Sequence, residues 1–381
     1  MRKVCIVVAS RANYGRIKSV LQAVKEHPEL KLQVVVAASA LLYRFGGVVD
    51  VMRADGFEPD ATCHTVIEGN APVTMAKSTG LGIIELATIF EGLYPDIVLT
   101  VADRYETLAT AVAASYMNIP LAHTQGGEIT GSIDESVRHA ITKLAHIHFP
   151  ASPRAAENVI RMGEDPKKVI LTGCPAMDLL VDIDLKLPKD FFERGGGVGP
   201  IIDQAKPYIV VLQHPVTTEY GQGTTQIEAT LNAVMKIGMQ TVWLWPNVDA
   251  GSDDISKYLR VFREHNPSAP IHFFKNFTPE NYARLIANCA CLVGNSSSGI
   301  REGAFLGVPA VNIGSRQYGR ECGSNVIHVQ SDTKQIESAI FIQLAHGRYE
   351  HSPIFGKGDA GYKIADALSH LNLCIKKTLY Y

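Results

Sequence analysis

The sequence predicts an α/β protein made of two Rossmann-like, doubly wound domains facing each other across a cleft. Three observations point there. Residues 3–9 and 208–212 are continuous runs of β-branched and other apolar residues, the pattern of strands buried on both faces of a parallel sheet. Each run opens a series in which short apolar runs alternate with segments of helical period, as in doubly wound folds. Between the two series lies Gly195-Gly196-Gly197-Val198-Gly199-Pro200, a break that no helix or strand spans. The expected layout is a domain over 1–172, a linker region over 173–206 and a domain over 207–381, its last helix packing back on the first domain.

In the first half, strands are expected at 3–9, 32–37, 97–101, 120–123 and 146–149, with helices from Ile17 to Val24 and at 73–93, 105–116 and 134–145. In the second half, strands are expected at 208–212, 241–245, 270–274, 290–293 and 309–313, with helices near 226–238, 254–264 and 279–288. The 381 residues suit two or three domains at ~150 residues each. Charged residues make up 19% and the net charge is −2, so no global field favours nucleic acid or an anionic membrane. The seven cysteines are scattered, with no C-x-x-C and no zinc spacing. Free thiols in a reducing cytosol, no metal and no cofactor are the expectation. The chain opens as a first strand rather than a signal peptide, and no stretch reads as the ~20 apolar residues of a membrane span. A cytoplasmic location follows from these readings.

Ligands of such sheets sit beyond the carboxyl ends of the strands, and the loops there carry the chemistry. After the first strand comes Arg11, with Arg16 and Lys18 nearby, either a phosphate contact or a solvated basic patch. After the strand ending at Val101 comes Asp103-Arg104. Asp103 is either a helix N-cap or a carboxylate in the cleft, with Arg104 pairing it or reaching a phosphate. The loop from His123 to His139 holds Gln125, the pair Gly126-Gly127, and the carboxylates Glu128, Asp134 and Glu135. The glycines let the backbone approach something closely. Asp134 can cap the following helix and Arg138 can pair with a carboxylate, yet the polarity exceeds what a turn requires. In the second half, Gly294-Asn295-Ser296-Ser297-Ser298-Gly299 lies between a strand and a helix start. That layout aims backbone N–H groups at an anion. It reads as a diphosphate cradle, with Arg301 adding charge and Glu302 accepting from ribose hydroxyls; the plainer reading is a serine-capped junction. His214, Asn247 and Arg316 follow other strands and face the same cleft.

The motifs His214-Pro215-Val216-Thr217-Thr218, Pro246-Asn247-Val248-Asp249-Ala250-Gly251-Ser252, Gly294-Asn295-Ser296-Ser297, Ile133-Asp134-Glu135-Ser136 with Arg138-His139, and Asp103-Arg104 resemble those of the hydrolysing UDP-N-acetylglucosamine 2-epimerases. The resemblance runs over essentially the whole chain. It implies a two-domain fold of the GT-B type, homo-oligomers (dimers or tetramers), and cleavage of a UDP-sugar to UDP and a free sugar inverted at C2. By motif match it implies UDP contacts from Arg11, His214, Asn247, Phe277, Ser296, Ser297, Glu302 and Arg316, and catalytic acids at Asp103 and Asp134. Gln125, Glu128 and Arg104 complete the candidate catalytic set. The neutral Gln125 orients groups but serves as no base.

The chain departs from the sialic-acid branch at Asn13, Ala40 and Gln125, where that branch resembles an aspartate, a histidine and a glutamate. A related branch acts on UDP-2,4-diacetamido-trideoxyglucose, which needs fewer hydroxyl partners, so that sugar stands as an alternative to UDP-GlcNAc. A glycosyltransferase, a non-hydrolysing epimerase and a silent nucleotide-sugar sensor are the rival classes.

Overall fold

The structure is a computed structural model describing residues 1–69, 71–246 and 249–380. The chain divides into two compact units. The first comprises Met1–Ile129, Ile133–Val181 and Ile354–Tyr381; the second comprises Thr130–Ser132 and Asp182–Pro353.

The first unit begins β1 (Arg2–Val8), α1 (Arg11–Gly15), α2 (Lys18–Glu26), β2 (Leu30–Ala37), α3 (Val48–Ala54), β3 (Ala61–Cys63) and α4 (Pro72–Leu93). It continues with β4 (Ile97–Val101), α5 (Tyr105–Tyr116), β5 (Leu121–Thr124), α6 (Ile133–Leu144), β6 (Ile147–Phe149), α7 (Pro153–Arg161) and α8 (Ala176–Asp182). The strands form one parallel sheet ordered β3-β2-β1-β4-β5-β6. The order reverses between β1 and β4, the switch point where open sheets take ligands. Val4, Ile6 and Val8 bury against one helical layer, Cys5 and Val7 against the other, which is why β1 reads as an unbroken apolar run. Ser10 starts α1 by accepting from the Asn13 N–H at 3.2 Å, so a short helix stands where a loop was expected.

One expectation is corrected here. α4 is 22 residues long and holds an 18-residue stretch of mean hydropathy 1.2, long and apolar enough to cross a membrane by length and composition alone. Its face Ser78, Gly82, Leu86 and Phe90 is buried. Gly82 lies so near α5 that an added Cβ would stand 2.9 Å from the Ala109 Cβ. Val73, Leu81 and Ile84 are exposed.

The second unit contains α9 (Phe191–Arg194), β7 (Ile209–Leu212), α10 (Gly223–Ile237), β8 (Thr241–Leu244), α11 (Ser252–His265), β9 (Ile271–Phe274) and α12 (Pro279–Asn288). It ends with β10 (Cys291–Gly294), α13 (Arg301–Leu306), β11 (Ala310–Ile313), β12 (Val326–Val329) and α14 (Thr333–His346). Its parallel sheet runs β12-β11-β10-β7-β8-β9. Counted from β7, this is the strand order of the first unit, with the reversal between β7 and β10. The last helix, α15 (Ala360–His370), belongs to the first unit. There Ile364, Ala365 and Leu368 enter the core beside Val20, Leu21 and Val24.

The stretch 173–206 is not a separate linker. Asp178 of α8 accepts from the Ala360 N–H at 3.0 Å and the Gly361 N–H at 2.6 Å, capping α15. Phe191, Phe192 and Ile202 are core residues of the second unit, and Val198 pairs with Phe273 of β9. Apart from the short excursion Thr130–Ser132, the units therefore change at 181/182 and again at 353/354, because buried apolar side chains, not glycine content, decide where a unit stops.

In the first unit a buried carboxylate, Glu164, gathers three donors: Lys143 at 2.5 Å, His148 Nε2 at 3.0 Å and Lys377 at 2.7 Å. Burial alone would raise its pKa, but the bonds from His148, Lys143 and Lys377 outweigh burial and bring it to about 2. A depressed carboxyl stabilises the fold above its unfolded value near 4.5 and loses that contribution as pH falls toward 2. Urea titrations at several pH values should therefore show Glu164→Gln less stable than the wild type at neutral pH, by on the order of 3 kcal/mol. The gap should narrow between about pH 4.5 and about pH 2.

Candidate functional site

The turn after β10 is built on Gly294. Its φ is +131°, and a Cβ there would lie 2.1 Å from the Leu212 carbonyl oxygen of β7, so only glycine fits between the two strands. The next residue, Asn295, is 1% exposed and ties three loops together. Its Oδ1 accepts from the His214 N–H at 2.7 Å, and its Nδ2 donates to the His214 carbonyl at 2.8 Å. Its own carbonyl accepts from Arg316 Nη1 at 3.2 Å and Gln317 Nε2 at 2.8 Å. The loops after β7, β10 and β11 thus converge on one asparagine, which brings His214, the serines and Arg316 together.

Ser296 Oγ accepts from the Ser298 N–H at 3.3 Å and caps the single 3₁₀ turn Ser297–Gly299. α13 that follows is only six residues long, ended by Gly307 in the left-handed region. A helix start was expected behind the turn, and the structure has one, stopped at Gly307; Ser296, Ser297 and Arg316 stand at the turn with its local N–H groups. Arg301, expected to add charge to the cradle, is 1% exposed, its charge held inside the fold. Glu302 Oε2 is buried with no hydrogen-bond partner among the described residues, an acceptor in want of a donor. Phe277 sits in an aromatic cluster, stacked on Phe191 with centroids 5.4 Å apart and 4.8 Å from Phe274. Asn247 lies outside the described residues.

At the switch point of the first unit, Arg11 opens α1 after β1, and Asp103 follows β4. Ala102 is left-handed (φ +62°) and turns its carbonyl to His123 Nε2 at 2.7 Å. Burial, partly offset by this bond, lowers the His123 pKa to about 3. His123 is therefore neutral at physiological pH, with its proton on Nε2. Asp103 is no helix cap: α5 is capped at Arg104, without a side-chain bond. The Asp103 carboxylate pairs instead with Arg138, which is fully buried and also donates to the Glu128 carbonyl at 2.7 Å. Arg104, expected to pair with Asp103 or a phosphate, pairs with Glu106 at 3.1 Å.

Asp134 stands in the first turn of α6, one helical turn before Arg138. Residues four apart share a helix face, so Asp134 and Arg138 lie on one side of α6, and the Arg138 guanidinium pairs with Asp103. Thr142, a further turn along, bonds His123 Nδ1 at 3.3 Å. Gly126 and Gly127 were expected to let the backbone approach something closely, and what approaches is protein: added Cβ atoms would meet Thr142 Oγ1 at 2.9 Å and the Ala155 carbonyl at 2.1 Å.

The three departures from the sialic-acid pattern all lie at the carboxyl edge of this sheet. Asn13 Oδ1 accepts from the Ala9 N–H at 3.3 Å, and the Ala40 N–H donates to the Ala9 carbonyl at 3.2 Å. Gln125, with φ +61° and no exposure, donates to Cys174 Sγ at 3.5 Å. Sequence reasoning passed over Asn295 and Gln317. The only cue was a lone asparagine behind a glycine, and its bonds to residues 81 positions earlier leave no local pattern. Among the described residues, no group of three or more His, Cys, Asp or Glu is placed to hold a metal ion.

Two Rossmann-like domains with matching strand orders, one bearing a serine turn and the other a buried aspartate–arginine pair, define the class: a nucleotide-sugar enzyme of the GT-B type. The profile of the UDP-N-acetylglucosamine 2-epimerase family matches residues 22–369. The chain is 31% identical over 373 residues to the UDP-N,N'-diacetylbacillosamine 2-epimerase (hydrolyzing) of Legionella pneumophila, covering 98% of this chain and 97% of that one. It is 28% identical to the UDP-N-acetylglucosamine 2-epimerase of Neisseria meningitidis, covering 94% and 92%. In fold it is similar to the crystal structure of the Neisseria meningitidis UDP-GlcNAc 2-epimerase bound to UDP-GlcNAc (TM-score 0.80, 19% identity, 96% and 99% covered). The chain belongs to the UDP-N-acetylglucosamine 2-epimerase family and is an enzyme of it.

Proposed function

We propose that the protein is a hydrolysing UDP-sugar 2-epimerase that converts UDP-GlcNAc and water to N-acetylmannosamine and UDP. The observation that carries the reading is the Asp103–Arg138 pair at a sheet switch point, on the helix that also bears Asp134. The C2 proton of an N-acetyl sugar has no adjacent carbonyl to acidify it, so departure of UDP runs ahead of, or together with, its removal. Positive charge then builds at C1 and the ring oxygen while negative charge builds on the diphosphate. His214, Ser296, Ser297 and Arg316 stabilise the diphosphate, and Glu302 accepts from the ribose; Arg11, Asn247 and Phe277 are the remaining UDP contacts by motif match. Arg138 orients the Asp103 carboxylate. Asp103 and Asp134 divide the work of meeting the sugar's positive charge and moving the proton. Elimination yields a glycal, and water adds across it with C2 inverted.

A second reading, the same reaction on UDP-2,4-diacetamido-2,4,6-trideoxyglucose, is favoured by Asn13, Ala40 and Gln125. These positions are uncharged, and Ala40 brings no polar side chain, which suits a sugar lacking the 6-hydroxyl. Either product feeds nonulosonic acid synthesis in the cytoplasm. We assign the exposed apolar residues of α4, Val73, Leu81 and Ile84, to contacts within a homodimer or homotetramer.

Incubation with each UDP-sugar, followed by NMR, tests the reading. The expected result is free C2-inverted sugar and UDP from at least one of them, without any acceptor. A product that keeps its UDP would mean a non-hydrolysing epimerase. UDP release only with an added acceptor would mean a glycosyltransferase.

A further inference from the structure

α6 carries most of the polar machinery of the first unit: Asp134 in its first turn, Arg138 at its middle, and Thr142 one turn later. A helix leaves its last four carbonyls without partners inside the helix, and these are usually met by a glycine cap or by water. α6 ends differently. Lys377, from the extended segment after α15, sends its ammonium to the Thr142 carbonyl at 3.0 Å and to the Ala145 carbonyl. The same ammonium pairs with Glu164 at 2.7 Å. Glu164 in turn takes Lys143 of α6 at 2.5 Å, and Lys143 also reaches the Met162 carbonyl at 3.1 Å. The end of α6 is thus gripped from two sides by one buried carboxylate and one ammonium.

The segment bearing Lys377 has no helix or strand of its own. It is tied down by polar bonds: Lys168 Nζ to the Asn372 carbonyl at 2.9 Å, His146 Nε2 to the Ile375 carbonyl at 3.0 Å, and the Tyr380 N–H to the Gly163 carbonyl at 3.0 Å. Desolvating an ammonium is costly unless its partners fix it well. Gly163 supports the arrangement: it is left-handed (φ +85°), and Leu379 packs where its Cβ would point, 3.1 Å away.

We propose that Lys377 is a positioning residue for the reaction: by holding the C-terminal end of α6, it sets the axial placement of Asp134 and Arg138 relative to Asp103. A rigid helix carries a displacement at one end to the other, and small misplacement of catalytic groups is expensive in rate. For its activity arm the proposal rests on the epimerase reading above.

The test compares Lys377→Met with Lys377→Arg in the full chain. Met keeps the aliphatic stem and removes the charge, while Arg restores a cation able to reach both carbonyls and Glu164. For Lys377→Met, the expected result is a kcat lowered about tenfold or more with KM and UDP affinity changed less than about twofold, and partial recovery in Lys377→Arg. Amide hydrogen exchange should quicken at residues 134–138 as well as at 142–145. Exchange changes confined to 142–145, or a kcat equal to the wild type's, would overturn the proposal. If the wild type releases no UDP from either sugar, the epimerase reading fails, and exchange at 134–138 still decides whether Lys377 positions α6.

Discussion

Asp103→Asn and Asp134→Asn should each lower turnover by at least ~100-fold, the low end for loss of an acid–base group, with UDP affinity by calorimetry unchanged. The substitutions keep shape and remove charge. An amide in place of the Asp103 carboxylate would still offer an oxygen to Arg138, so orientation survives while proton transfer does not. Asp103 and Arg138 are both buried, and halving a buried pair costs about 3–5 kcal/mol. A thermal melt must accompany the kinetics, since lost folding would mimic lost chemistry. The double variant should fall well short of the product of the two single losses, because residues that serve one reaction step as a unit do not act additively. Near-normal turnover in both single variants would remove the two aspartates from the mechanism.

Gly294→Ala should be among the most damaging single-methyl changes in the second unit. Gly294 pairs with Leu212 across the β10–β7 ladder. Its φ of +131° and the Leu212 carbonyl 2.1 Å from the added Cβ penalise alanine twice. Backbone strain alone costs about 1–3 kcal/mol, and the clash with a backbone atom that cannot rotate away adds to it. The expected cost is ~3 kcal/mol or more, read by urea unfolding, together with weakened UDP binding as Asn295 loses its hold on His214. Gly80→Ala is the natural control: it lies within α4 with open space where its Cβ would go, and helix propensity favours alanine there. If both variants melt alike, the close approach of β10 to β7 is not what holds the turn.

Much of this architecture was readable in the residues. The strands at 97–101 and 209–212 are apolar on both faces, and helices such as 105–116 and 279–288 fall within a residue or so of their expected ends. β3, with only Ala61-Thr62-Cys63, is too short to show a period. The candidate site was legible one loop at a time, because strand tips advertise themselves by polarity. What joins the loops was not. Arg138 meets Asp103 from 35 residues away, and nothing local in either stretch prefers that partner over Arg104. Gly126-Gly127 showed that a close approach was needed, but composition does not say whether a ligand or α7 does the approaching. The apolar residues of α4 were legible, but its span-like length was not, because Lys77, Glu85 and Glu91 interrupt the run.

The second unit is one nearly unbroken stretch, Asp182–Pro353, whereas the first is closed by the return of α15. During synthesis, then, the later unit is complete while the earlier one still lacks Ile364, Ala365 and Leu368 from its core. The nascent β1–β6 sheet must wait on the ribosome with α2 partly uncovered, and that interval is when the chain is most open to aggregation and to chaperones.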